Sequence, residues 1–232
     1  MPFTKLLETA LIAGLLAAFA TAGFHWLFSE PLIDRAVAIE GQASPHAEEP
    51  VVSRPAQKFG LFVGFAFYGI AWGILFGVLV YALSPEKRAG GSLSQGLLIA
   101  LILGWSVAVF PMLKYPANPP GVGEAATIGY RQELFVLFIA LSLIGTVAGF
   151  IAESRLRRSG KPMPLNVAAA YLVYLLCLYY FFPANPDPVK IDLELVQRFR
   201  LVSFAGHIVF WTALGIAFAA LTRRRFPAAR HG

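Results

Sequence analysis

The sequence predicts an all-α, polytopic membrane protein with six transmembrane helices arranged as three helical hairpins. Six separate stretches are each near the ~20 residues a helix needs to cross ~30 Å of hydrocarbon. None of the six contains Asp, Glu, Lys or Arg. Lipid offers no hydrogen-bond partners to the backbone, and nothing in the chain shows the dyad alternation of a membrane barrel, so helices are the required form. Composition agrees, with 57% of residues hydrophobic, 14% charged and a positive mean hydropathy.

The spans follow in order as Thr9–Phe28, Phe59–Leu83, Leu93–Leu113, Leu134–Ala152, Leu165–Phe182 and Leu201–Thr222, a single integral membrane domain over residues 1–232. The first resembles a secretory signal, with Lys5 ahead of an apolar run and Ala18-Phe19-Ala20 as a cleavage-like triplet. Its apolar run continues through Phe24, His25, Trp26 and Phe28, an interfacial aromatic cluster that argues for a retained helix. The second carries Gly69, Gly73 and Gly77 every four residues on one face, which lets another helix approach closely. Gly145 and Gly149 in the fourth span, and Gly14, Ala18 and Ala22 in the first, are shorter versions. The face serves packing within the chain, a dimer interface or a pore lining.

Six spans put the amino terminus, the second and fourth loops and the carboxyl tail on one side. That side holds 11 of the 19 Lys and Arg: Lys5, Lys87, Arg88, Arg155, Arg157, Arg158, Lys161, Arg223, Arg224, Arg225 and Arg230. Translocating them is disfavoured, so both termini are expected in the cytoplasm, with the protein in a bacterial inner membrane. The opposite side carries 10 of the 13 acidic residues. These acids either form a cation-gathering mouth or simply populate longer loops. Basic residues grouped beside spans are explained by topology and anionic lipid, so nucleic acid is not an expected partner. The single cysteine, Cys177, leaves no disulfide framework or thiol cluster.

Two outer loops repeat. Tyr115-Pro116-Ala117-Asn118-Pro119-Pro120-Gly121-Val122 aligns without a gap on Phe182-Pro183-Ala184-Asn185-Pro186-Asp187-Pro188-Val189, and the same register sets Arg131 opposite Arg198. Proline fixes φ and forces its predecessor extended, so each span stops there, and Asn can hydrogen-bond the freed backbone. The match reads as two similar terminators or as a duplicated hairpin of the parallel-repeat kind. Arg131 and Arg198, beside Glu124, Asp187, Asp192 and Glu194, are expected to pair with carboxylates and hold the outer loops.

No nucleophile motif, His-Glu-x-x-His, paired cysteines or glycine-rich phosphate loop is present, so an enzyme is not expected. His25, near the outer end of span one, and His207, roughly 9 Å into span six at helical rise, are the candidates for polar work in the membrane. With His46 in the first outer loop they are candidate ligands for a borderline divalent ion such as cobalt, nickel or zinc. The plainer role for His25 and His207 is a histidine satisfied by a neighbouring helix.

The run Lys114-Tyr115-Pro116-Ala117-Asn118-Pro119-Pro120-Gly121-Val122-Gly123, with Thr127-Ile128-Gly129 and Arg131, resembles a signature of the CbtA family of cobalt transporter subunits. Phe199-Arg200-Leu201 with Ser203 and Trp211, Ser53-Arg54 with Gln57, Gly60-Leu61 and Tyr68-Gly69 are similar to that family too. The resemblance implies a membrane subunit of a divalent metal uptake system with cobalt as cargo. It also implies a small single-span CbtB-like partner, and transient Co2+ in place of a tightly bound cofactor. This chain has only His46 in the loop where relatives carry several histidines, and its Pro183-Ala184-Asn185-Pro186 copy is not part of the family pattern. The rival expectation is a non-transporting structural or assembly subunit of a membrane complex, docking through Gly-rich helices.

Overall fold

A computed structural model describes residues 2–43, 52–83, 93–158 and 165–225. His46, Lys87, Arg88, Lys161 and Arg230 therefore lie outside the described residues. All the regular structure among the described residues is helical. The α-helices are α1 (Phe3–Phe28), α2 (Glu30–Ala43), α3 (Arg54–Leu83), α4 (Leu93–Gly104), α5 (Phe110–Lys114), α6 (Ile128–Arg158), α7 (Leu165–Phe181) and α8 (Leu193–Arg225). A π-helical turn, Trp105–Val109, joins α4 to α5, and a 3-10 turn, Ala125–Thr127, precedes α6.

Five segments are long and apolar enough to cross a bilayer: Phe3–Phe28, Arg54–Ala82, Gly96–Lys114, Ala125–Leu156 and Leu193–Arg225. A sixth apolar helix, Val167–Phe181, is shorter. The polytopic helical class follows from these six segments. At 17 residues α7 spans roughly 26 Å, just under the thickness of the hydrocarbon.

The chain forms two compact units. Unit 1 comprises Met1–Ile102, Ala117–Gly121 and Lys190–Gly232; unit 2 comprises Leu103–Pro116 and Val122–Val189.

In unit 1, α1 packs against both α3 and α8. The sequence permits this because α1 buries small side chains, Ala10, Ala13, Gly14, Ala17, Ala18 and Ala22, where a larger residue would hold its neighbours off. A Cβ built on Gly69 would fall 2.4 Å from the Gly14 carbonyl oxygen, and one on Gly73 would fall 2.9 Å from that of Ala10. The glycine stripe of α3 is thus filled by α1 of the same chain. Between α3 and α8 the side chains are large instead. Tyr68 meets Phe210 at 4.8 Å, Trp72 meets Trp211 at 5.5 Å and Phe76 meets Phe218 at 4.9 Å, all edge to face. Gly96 of α4 lies against Ala219 and Gly215 of α8.

The connection between the first two spans, read from sequence as a loop, contains α2. Its opening Glu30 is buried and bonded to Arg54 of α3 at 2.7 Å. Asp34, one turn on, takes Arg54 at 2.6 Å and Lys58 at 2.7 Å.

Unit 2 is built on Phe110, Phe138, Leu175 and Leu178, with Tyr115, Tyr171, Tyr174, Tyr179 and Phe182 against them. Tyr174 lies across Gly145, where a Cβ would come within 2.2 Å of its ring, and its hydroxyl donates to the Leu141 carbonyl at 2.7 Å. The π turn has an identifiable cause. Pro111 has no N–H and its ring crowds the carbonyl four residues back, so the helix widens just upstream, and the Phe110 N–H reaches the Trp105 carbonyl five residues back.

Candidate functional site

His25 and His207 line one cleft in unit 1 with a volume of about 310 Å³, shared with Thr21, Phe65, Tyr68, Gly206 and Phe210. Helix α1 supplies His25, α8 supplies His207 and α3 supplies the aromatic wall. The His25 ring stacks on Phe65, centroids 5.2 Å apart and planes 17° from parallel. Its Nδ1 lies 2.6 Å from the hydroxyl of Ser29, four residues on at the cap of the same helix and itself buried. That contact fixes what Nε2 can do. When Nδ1–H donates to Ser29, Nε2 presents a lone pair, the ligand-competent tautomer; when the hydroxyl donates instead, Nε2 carries the proton.

Gly206 makes the arrangement possible. A Cβ at that position would lie 2.2 Å from His25 Nε2, so the imidazole of α1 occupies the space an alanine on α8 would fill. Sequence reasoning did not single out Gly206, although a glycine beside an intramembrane histidine is a signal that would have found it. Among the described residues no three or more His, Cys, Asp or Glu side chains converge on a metal position. Two imidazoles without a carboxylate suit loose, exchangeable contact with a borderline cation.

Several carboxylates in the connections are taken by the chain's own cations. Glu30 and Asp34 are paired with Arg54 and Lys58, Asp192 with Arg35 at 3.5 Å, and Asp187 with Arg131 at 3.0 Å. Hydrogen bonds from Lys58 and then Arg54 hold the Asp34 carboxyl below the usual aspartate range. These acids act as clasps.

The motif residues fall into two clusters. In unit 1, the Asn118 side-chain oxygen accepts from Arg200 Nε at 3.2 Å and Nη2 at 2.8 Å. Pro119 is buried, and Gly121 turns the chain at φ 80°, a left-handed conformation that favours glycine. In unit 2, Lys114 donates to the Tyr179 carbonyl at 2.8 Å with its ammonium over the Tyr179 ring. Tyr115, next to Pro116, donates its hydroxyl to the Pro183 carbonyl. Asp187 is nearly enclosed, and its carboxylate accepts from the Thr127 hydroxyl at 2.7 Å, the Glu124 N–H at 2.9 Å and Arg131 Nε at 3.0 Å. Asn185 stabilises the turn by accepting from the Asp187 N–H at 3.1 Å. Gly123, at φ 101°, leaves room for the Arg131 guanidinium, whose Nη1 would be 2.5 Å from a Cβ there.

The sequence repeat is therefore not a repeat of roles. Asn185 braces its own loop backbone, whereas Asn118 receives an arginine side chain. Arg131 grips an enclosed carboxylate, whereas Arg198 makes an exposed pair with Glu194 at 2.6 Å, four residues away on the same helix. Within α8, Arg200 makes the structural contact two residues beyond the position in register with Arg131.

Apolar helices of spanning length, with two histidines in one cleft between them and connections pinned by charge-assisted bonds, define a polytopic helical membrane protein. Within that class, the chain belongs to the CbtA family: the family model described as "Probable cobalt transporter subunit (CbtA)" matches residues 3–223. No curated protein and no solved structure matches the chain.

Proposed function

We propose that this chain is the membrane subunit of a divalent metal uptake system whose cargo is Co2+, with His25 and His207 as the transient contact for the cation. The observation that carries the reading is that one cleft brings together His25 and His207, 182 residues apart in sequence. Neutral imidazole is a suitable ligand for a borderline ion, and two ligands hold it weakly enough to release. His46 adds a further imidazole on the outer side in this reading. In this reading the protein sits in a bacterial inner membrane with both termini cytoplasmic, the orientation that the basic-residue asymmetry favours. It works with a small single-span CbtB-like subunit.

The rival reading is a structural subunit that carries no cargo. Radiocobalt accumulation in cells with and without the gene separates the two: the uptake reading predicts loss on deletion and restoration by the wild-type chain. Unchanged accumulation at limiting Co2+ would leave the structural reading. Cysteine labelling at Ser159 and Gly123 tests the orientation, with Gly123 reacting from outside and Ser159 only after permeabilisation.

A further inference from the structure

Around the π turn the helix has more carbonyl acceptors than N–H donors. The Trp105 carbonyl accepts from the Phe110 N–H, and the Pro111 carbonyl accepts from the Tyr115 N–H at 2.8 Å. Between them, the five carbonyls of Ser106 to Phe110 face only three N–H groups, those of Met112, Leu113 and Lys114, because Pro111 has none. One N–H per carbonyl thus leaves two of the five without a donor in their own helix.

Two hydroxyls share the neighbourhood. Ser106 of the π turn and Ser142 of α6 are fully buried, and neither hydroxyl has a hydrogen-bond partner among the described residues. Other intrahelical hydroxyls behave differently: Thr9, Thr21, Thr146, Ser154 and Thr222 each donate to the carbonyl four residues back. Ser106 and Ser142 also lie at one depth. The rings of Phe110 and Phe138 stack at 5.2 Å. Ser106 precedes Phe110 by about one turn and Ser142 follows Phe138 by about one turn on the neighbouring, oppositely running helix. Ser106 is roughly 12 Å from the Lys114 end of its span at helical rise. Uncompensated polar atoms at such a depth are costly, so an occupant that answers them is strongly favoured.

We propose that the Ser106 and Ser142 hydroxyls and the freed carbonyls of the π turn form a binding site for a monovalent cation, Na+. The donors are all neutral, hard oxygens. A divalent ion has no carboxylate there to answer its charge, and a borderline metal is better served by imidazole. Carbonyls released by a break in a spanning helix are the groups that hold Na+ in secondary transporters. The site's role rests on the uptake reading, in which it couples the Na+ gradient to metal entry; Na+ binding itself does not depend on that reading.

The test is thermal unfolding of the full chain in detergent, in NaCl against choline chloride at equal ionic strength and without cobalt. Wild type is expected to show a saturable rise of the midpoint with Na+. Ser106→Ala and Ser142→Ala are expected to weaken the apparent Na+ affinity about tenfold or more. In choline each should melt no lower than wild type, since removing an unpartnered hydroxyl removes its desolvation penalty. Identical wild-type midpoints in Na+ and choline, the behaviour of a site that holds only water, would overturn the proposal. So would alanine variants that keep the full Na+ response. Na+ stabilisation without any cobalt uptake would instead count against the transport reading and leave the site standing.

Discussion

Gly69→Ala is the sharpest perturbation of the fold, because the atoms it would strike cannot move aside alone. The added methyl would meet the Gly14 carbonyl oxygen at 2.4 Å, the Ala18 Cβ at 2.6 Å and the Gly14 carbonyl carbon at 2.9 Å. Relief requires α1 and α3 to separate by about 1 Å, and a gap of that size forfeits a quarter to a half of each dispersion contact along the seam. Overpacking of this kind costs about 1 to 3 kcal/mol. For a chain of this length that lowers the midpoint by roughly 2 to 12 °C. Gly60→Ala on the same helix is the control, since a Cβ there meets nothing within 4 Å. It removes backbone freedom from the unfolded chain and should be neutral or slightly stabilising. Circular dichroism melts in detergent at one scan rate read both variants. Equal midpoints for Gly69→Ala and wild type would refute the claim that the glycine stripe is filled by α1.

Other outcomes follow from the clasps. Arg131→Lys loses the guanidinium geometry that reaches Asp187 and should raise protease sensitivity of the connection it clasps in unit 2, while Arg198→Lys, altering an exposed pair, should leave it at the wild-type rate. Asn118→Ala strips Arg200 of the acceptor for both of its bonds, a loss of about 1.5 to 3 kcal/mol in thermal stability for hydrogen bonds to a charged group. Wild-type melting of that variant would remove the clasp. The Asp34 carboxyl titrates below its usual 3.8 in the folded chain, so its contribution is complete above that value and is lost as pH falls through the lowered one. Melts taken from pH 6 downward should decline only below about 4, and Asp34→Asn should lack that part of the decline. Because Asp34 is largely exposed, the effect should be small and should shrink with salt.

Much of the helical frame was legible in the sequence because lipid imposes one rule on every span, and apolar runs free of charge satisfy it visibly. The stripe of Gly69, Gly73 and Gly77 was legible as a close-packing face, but its partner was not, since Ala10 and Gly14 are as unremarkable as any small residues in an apolar run. Helix α2 was hidden because residues 30–43 are too polar for a span, and the ion pairs that seat it join Glu30 and Asp34 to residues about twenty positions away. The π turn was hidden for a different reason: Pro111 announces a disturbance, but whether a helix kinks, stops or widens is decided by what packs on it. Ser106 and Ser142 carry no signal in one dimension. The two histidines stood out as the imidazoles of their spans. That they share a cleft depends on α8 folding back on α1, a pairing of the chain's two ends that no hairpin connects.

The central claim is that Co2+ crosses by way of the His25 and His207 cleft, and radiocobalt uptake at limiting Co2+ tests it most directly. Cells carrying wild type, His25→Ala, His207→Ala or Gly60→Ala at matched membrane levels would be compared. Loss of a ligand is expected to cut uptake by about 10-fold or more in each histidine variant, with Gly60→Ala at the wild-type rate. Wild-type uptake in both histidine variants would contradict the account.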